Sequence, residues 1–288
     1  MKVRKAFTMV ETTLALSFVG VLLVTVSYII IQMSSIYQKT LSVKSVNAGG
    51  RELIDDFDHH IAASNLANTN ILCSGLSEEA TVACRADGAY KHIYQQYYSD
   101  GSNNFVTRDV TSTSVPTFGL FCTGRYTYLW NSGYVLNGKN NTIKDYRIEV
   151  TYPKDGSDVK TKDFRLLRVK DPLNDLCSNN FNGSTYELNA DTYNLSLSLM
   201  SEPEELLGNS DTELAIYDLH VFRPGRHNLT GHAFYAGTFI LASLQGDVDI
   251  LADSSYCTAP QEGYISEFTY CAINKFNFAA QAVGAADV

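Results

Sequence analysis

The chain opens on a long apolar stretch and then changes its period twice. No charged side chain occurs between Thr12 and Gln38, and Leu14 to Met33 is mostly apolar. As a helix rising about 1.5 Å per residue, that segment covers roughly 30 Å, the thickness of a bilayer's hydrocarbon core. Lys2, Arg4 and Lys5 precede it, so the positive-inside rule puts the N-terminus in the cytoplasm and everything after about Ile36 outside. The pattern then becomes amphipathic. Val46, Leu53, Phe57 and Ile61 recur at helical spacing with Ile54 alongside, while Arg51, Glu52, Asp55, Asp56 and Asp58 fill the other faces. Such a stripe predicts a helix docked on a globular head. Gly49-Gly50 interrupts it at a cost of roughly 2 kcal/mol and predicts a kink. From Phe7 to about Ala63 the whole helix measures on the order of 85 Å.

Beyond it the period changes again. From Asn65 to about Asn141 the text reads as loop, rich in Asn, Ser, Thr and Gly, with short Tyr-bearing runs such as Tyr90 to Tyr98. The second half reads as strands: Arg147–Tyr152, Phe164–Val169, Leu195–Leu199, Glu213–Phe222 and Phe234–Leu244 are β-branched and aromatic, bounded by turn residues. Within Glu213–Phe222, Ala215, Tyr217, Leu219 and Val221 share one face and Asp218 and His220 the other. A long helix followed by a mostly antiparallel sheet with one wet side is an α+β layout.

Three readings compete for the apolar segment. A secretory signal peptide needs a shorter run that ends in small residues, and this one ends Tyr-Ile-Ile-Ile-Gln-Met-Ser-Ser. A plain signal anchor and a pilin leader with anchor remain. Glu11 bears on that choice, because a carboxylate costs about 2.5–3.5 kcal/mol at mid-bilayer and less near the interface. In a plain anchor it marks only the membrane boundary.

The stretch Ala6-Phe7-Thr8-Met9-Val10-Glu11, followed by the apolar run, resembles the class III signal of type IV prepilins and type II secretion pseudopilins. The resemblance covers about 30 residues. It implies that a prepilin peptidase cuts between Ala6 and Phe7 on the cytoplasmic side and N-methylates Phe7. Glu11 then stands at the family's glutamate position, and Gly20 where many members carry glycine. The family usually has Gly where Ala6 stands, and often a Pro in the anchor, whereas here the first Pro is Pro116. The implied layout is a leader at 1–6, a transmembrane and filament-core helix at 7–36, an amphipathic helix at 37–64 and an extracytoplasmic head at 65–288. The implied fold is pilin-like, and the implied partners are prepilin peptidase, other pilin subunits and the inner-membrane assembly platform. A physical role for Glu11 follows. Cleavage creates an α-amino group of pKa about 8, a cation that can pair with the Glu11 carboxylate of a neighbouring subunit and set the axial register.

Composition narrows the function. A formal net charge of −9 argues against a nucleic-acid surface, which needs clustered Lys and Arg. The cysteines Cys73, Cys84, Cys122, Cys177, Cys257 and Cys271 all follow the apolar segment, and none forms a CxxC pair. An even count in an exported domain reads as disulfides, with the connectivity left open by sequence. Cys73–Cys84 and Cys257–Cys271 are the preferred local loops, which leaves Cys122–Cys177. A loop of about 15 residues contributes roughly 3 kcal/mol in the chain-entropy model. By position alone, Cys257–Cys271 is similar to the disulfide-closed loop near the end of many pilin heads. His227 and His232 flank Asn-Leu-Thr-Gly without an HExxH, and Asp247, Asp249 and Asp253 offer oxygens to calcium without an EF-hand loop. With no GxSxG and no P-loop, the reading is a structural, non-enzymatic subunit without a cofactor. The tyrosines serve adhesion or the core. The size of the head suggests a minor pilin of the cell surface, acting in pilus initiation, at the tip or in adhesion. The rivals are a minor pseudopilin of a type II secretion or competence system, and a signal-anchored adhesin or enzyme that never polymerises.

Overall fold

The computed structural model describes residues 9–63, 94–99, 105–106, 115–136, 147–171, 176, 194–196, 203–208, 213–226, 233–244, 247–249, 256–258 and 272–282. Among them the architecture is α+β: one long helix and four sheets.

Helix α1 (Met9–Ala62) is 54 residues long, or about 80 Å at the helical rise. Its buried positions are Ser42, Val46, Gly50, Leu53, Phe57 and Ile61. Steps of three and four keep them on one stripe, so only the C-terminal half of the helix is docked. The amphipathic expectation holds there. The interruption at Gly49-Gly50 does not, because the helix continues through both glycines. The reason is packing. A Cβ on Gly50 would lie 2.2 Å from the Phe276 ring, and one on Gly49 would lie 2.7 Å from Leu214 Cδ1. Here the glycines let the sheet approach the helix backbone, and that contact offsets their poor helix propensity. Gly50→Val is therefore expected to destabilise the fold by about 1–3 kcal/mol, read as a lower denaturation midpoint of the detergent-solubilised chain. A variant as stable as the parent would show that this close approach is unimportant.

The helix packs on a three-stranded antiparallel sheet ordered β10 (Leu214–Arg226), β11 (Ala233–Ser243) and β14 (Ile273–Ala282). A six-stranded antiparallel sheet covers the other side of Phe57. Its order is β2 (Phe105–Val106), β1 (Tyr94–Ser99), β3 (Val115–Cys122), β4 (Tyr126–Asn131), β7 (Leu166–Lys170) and β9 (Glu204–Glu205). A third sheet has β5 (Glu149–Lys154) between antiparallel β6 (Ser157–Thr161) and parallel β8 (Asn194–Ser196). The strands β12 (Asp247–Asp249) and β13 (Tyr256–Thr258) form an antiparallel pair. A short helix, α2 (Gly133–Leu136), follows β4.

Two expectations are corrected here. The segment read as loop, Asn65 to Asn141, supplies β1 to β4, four of the six strands of the largest sheet. Residues 116–122 and 127–131 are buried throughout, so both faces of β3 and β4 are covered. Strands buried on both sides read as continuous runs and lack the alternation that marks a half-exposed strand. Gly124, with φ at 102°, turns the hairpin between them, and the Thr123 backbone N–H donates to the Tyr126 carbonyl at 2.9 Å.

The second correction concerns β10. Its pairing with β11 skips from Ile216 opposite Leu241 to Asp218 opposite Ile240, a bulge at Tyr217. The bulge moves the inward set by one residue. Leu219 and Val221 lie in the main core, whereas Ala215 and Tyr217 belong to a small cluster with Ile240 and Ala242 beside α2.

The main core is aromatic. Phe57 sits 4.9 Å from Tyr128 on β4 and 4.9 Å from Phe278 on β14. Tyr97, Tyr128, Tyr217 and Tyr235 are among the largest fully buried side chains, which assigns these tyrosines to the interior. Asn131 ties the six-stranded sheet to the segment leading into β5. Its side-chain oxygen accepts from the Ile148 N–H at 2.9 Å, and its amide donates to the carbonyls of Ile148, Lys162 and Phe164.

Candidate functional site

The N-terminal half of α1 has a different environment from the docked half. From Met9 to Leu41 no residue is buried: Leu16 is 71% exposed, Val24 71% and Ile30 62%. This is a helix long and apolar enough to cross a membrane, and none of its most apolar window is covered by the protein. Water would charge heavily for that surface, at about 25 cal/mol per Å² of apolar area.

Its polar side chains are arranged to suit an apolar surrounding. Thr12, Thr13, Ser17 and Thr25 donate their hydroxyls to the carbonyls of Met9, Val10, Leu14 and Leu22, all at 2.8–3.0 Å. Ser35 does the same with Gln32, and the Gln32 amide reaches the Tyr28 hydroxyl at 3.4 Å. Hydroxyls turned back onto their own helix need nothing from outside, which is how Ser and Thr are accommodated in lipid or in a helical bundle. Glu11 lies in the first turn of the described helix and is exposed. It is the one formal charge between Met9 and Gln38.

Ala6 and Phe7 lie outside the described residues, as do Cys73, Cys84, Cys177 and Cys271. Cys257 falls within β13, whose backbone alone is described. Cys122, at the end of β3, is fully buried and disulfide-bonded. Its sulfur also accepts from the Thr127 hydroxyl at 3.3 Å. Each of the pairings Cys73–Cys84, Cys257–Cys271 and Cys122–Cys177 includes a cysteine outside the described residues. Asp247 and Asp249 sit two apart on β12, while Asp253, His92, His227 and His232 lie outside the described residues. Among the described residues no group of three His, Cys, Asp or Glu side chains could hold a metal ion.

The structure brings together two polar clusters that sequence reasoning missed. The first closes the end of α1 against the sheet. Arg168 on β7 donates to Asp56 Oδ1 and meets His60 Nε2, and its other nitrogen reaches Glu204 Oε2 at 2.5 Å. The Tyr128 hydroxyl donates to Asp56 Oδ2 at 3.0 Å, and the His60 ring lies 4.5 Å from that of Tyr126. Asp56 and His60 are four apart on one helix, so their pairing was legible; Arg168 was not, lying 112 residues away.

The second cluster ties β1 to β10. The Gln96 amide donates to Asp218 Oδ1 at 2.6 Å and to the Tyr98 hydroxyl at 2.8 Å, and its oxygen accepts from the Leu219 N–H at 2.9 Å. His220 Nε2 lies 3.1 Å from Asp218 Oδ2, and that hydrogen bond raises the imidazole pKa above its ordinary value of 6.5.

No family model matches the chain, and no curated protein and no solved structure matches it.

Proposed function

We propose that the chain is a pilin-like filament subunit, a minor pilin anchored in the inner membrane and then assembled through the N-terminal half of α1. The observation that carries this reading is the uncovered apolar half of a helix whose other half is locked into the head. Lipid covers that surface before assembly, and the equivalent helices of neighbouring subunits cover it afterwards. The back-bonded hydroxyls support both environments, since neither requires a polar partner from outside the helix. Lys2, Arg4 and Lys5 support a cytoplasmic N-terminus with the head outside. The Ala6-Phe7 junction and Glu11 supply the cleavage point and the assembly carboxylate.

On this reading prepilin peptidase removes residues 1–6, and an assembly platform lifts the subunit out of the bilayer. The test is to shear surface fibres from cells carrying an epitope-tagged chain and to probe the filament and membrane fractions. Recovery in the sheared filaments is expected. Confinement to the membrane fraction, with filaments still produced, would leave a membrane-tethered head that never polymerises.

A further inference from the structure

We propose that His60 is a proton-driven release for the latch that fastens the end of α1 to β7. The argument starts from donor and acceptor chemistry. A guanidinium only donates, so the His60 Nε2 that meets Arg168 must accept; the ring is neutral and carries its proton on Nδ1. The same Nε2 lies 3.4 Å from Asp56 Oδ1, the oxygen to which Arg168 donates. A proton arriving on Nε2 turns the acceptor into a second donor. Two cations then compete for one carboxylate oxygen, and the contact between His60 and Arg168 becomes repulsive.

Among the described residues, the groups facing His60 include Asp56 and His59 on its own helix, Tyr126 on β4, Arg168 on β7 and Glu204 on β9. Asp56 Oδ2 stays with the Tyr128 hydroxyl. Glu204, the more exposed carboxylate, already holds the other Arg168 nitrogen, so the guanidinium has an alternative anion to follow outward. The surroundings also resist the proton. Burial lowers the His60 pKa from its ordinary 6.5, with Arg168 and His59 adding to the fall and Asp56 and Glu204 opposing it. The direction fixes the sign. The released state takes up the proton near the ordinary value and the latched state resists it, so the latch weakens as pH falls below about 6.5. The segment released is the last turn of α1, beyond Phe57, where His60 meets β7. Protonation thus loosens that end of the helix while Val46, Leu53 and Phe57 keep the rest of it packed on the core. The inference stands on this junction alone and does not require the filament reading.

Hydrogen exchange on the full-length chain in detergent micelles, from about pH 8 to about pH 5, tests it. After correction for intrinsic exchange, residues 59–62 are expected to exchange several-fold faster below about pH 6.5 while residues 50–57, β3 and β4 stay protected. His60→Gln should remove the acid step, and Arg168→Gln should give fast exchange at every pH. A flat profile in the parent chain, or the same acid step in His60→Gln, would overturn the proposal. Nitrogen NMR of ring-labelled histidine gives an answer even where a variant fails to fold. An unprotonated Nε2 at neutral pH is expected, and a neutral ring protonated on Nε2 would refute the latch.

Discussion

Phe57→Ala is expected to destabilise the head by about 3–5 kcal/mol, the usual cost of emptying a buried phenylalanine site. Phe57 is fully buried on α1. Its ring meets Tyr128 edge-on at 4.9 Å, Phe239 at 5.9 Å and Phe278 at 4.9 Å. Those partners belong to β4, β11 and β14, so one side chain holds the helix, the six-stranded sheet and the three-stranded sheet together. Each aromatic contact adds about 0.5–1.5 kcal/mol beyond area burial, which places this site near the upper end of the range. Chemical denaturation of the solubilised chain measures the loss. Leu41→Ala is the control, because Leu41 is 38% exposed on the same helix and its removal should leave the head within about 0.5 kcal/mol of the parent. A Phe57→Ala variant that matched Leu41→Ala would mean that the docked half of α1 is not the keystone of this core.

Glu11→Ala is expected to leave cleavage intact and to abolish most incorporation into filaments. On the proposed filament reading, with Phe7 as the first residue, its ammonium and the Glu11 carboxylate of a neighbour would be opposite charges in an apolar surrounding. Deleting one member of a buried pair strands the other at a cost of about 3–5 kcal/mol, or roughly a hundredfold or more in assembly equilibrium. The variant subunit should still reach the membrane, since the substitution makes the span more apolar. Glu11→Gln should fail in the same way, because the amide fits the space without the charge. The comparison of processed chain in the membrane with chain in sheared fibres separates processing from assembly. Normal incorporation of either variant would end the pairing account of Glu11, while leaving the membrane span untouched.

What could be read in advance follows from where the period of the sequence is clean. The stripe at Val46, Leu53, Phe57 and Ile61 is buried as its spacing implies, because a helix packed on one side has only one way to sort its residues. The strands around Ala233–Ser243 and Leu214–Arg226 also fell close to their expected bounds. The hairpin of β3 and β4 was missed because burial on both faces erases alternation, leaving Phe118, Leu120, Phe121, Tyr128, Leu129 and Trp130 as a run without a period. Gly49-Gly50 was misread because the sequence shows what a glycine costs its own helix and not what lies against it, here Leu214 and Phe276. The same limit hid Arg168, whose meaning comes from Asp56 and His60 across a long loop closure. Of the candidate site, the apolar length and the single charge at Glu11 within it were legible, because bilayer dimensions act on composition alone.

The central claim is that the cationic leader is removed and the new amino end takes part in assembly. Intact-mass and N-terminal peptide mass spectrometry of the chain, from cells with an active prepilin peptidase, tests it most directly. The account predicts a mature protein that begins at Phe7 and carries one added methyl group on its amine. A chain that still begins with Met1-Lys2-Val3-Arg4-Lys5 in those cells would contradict it.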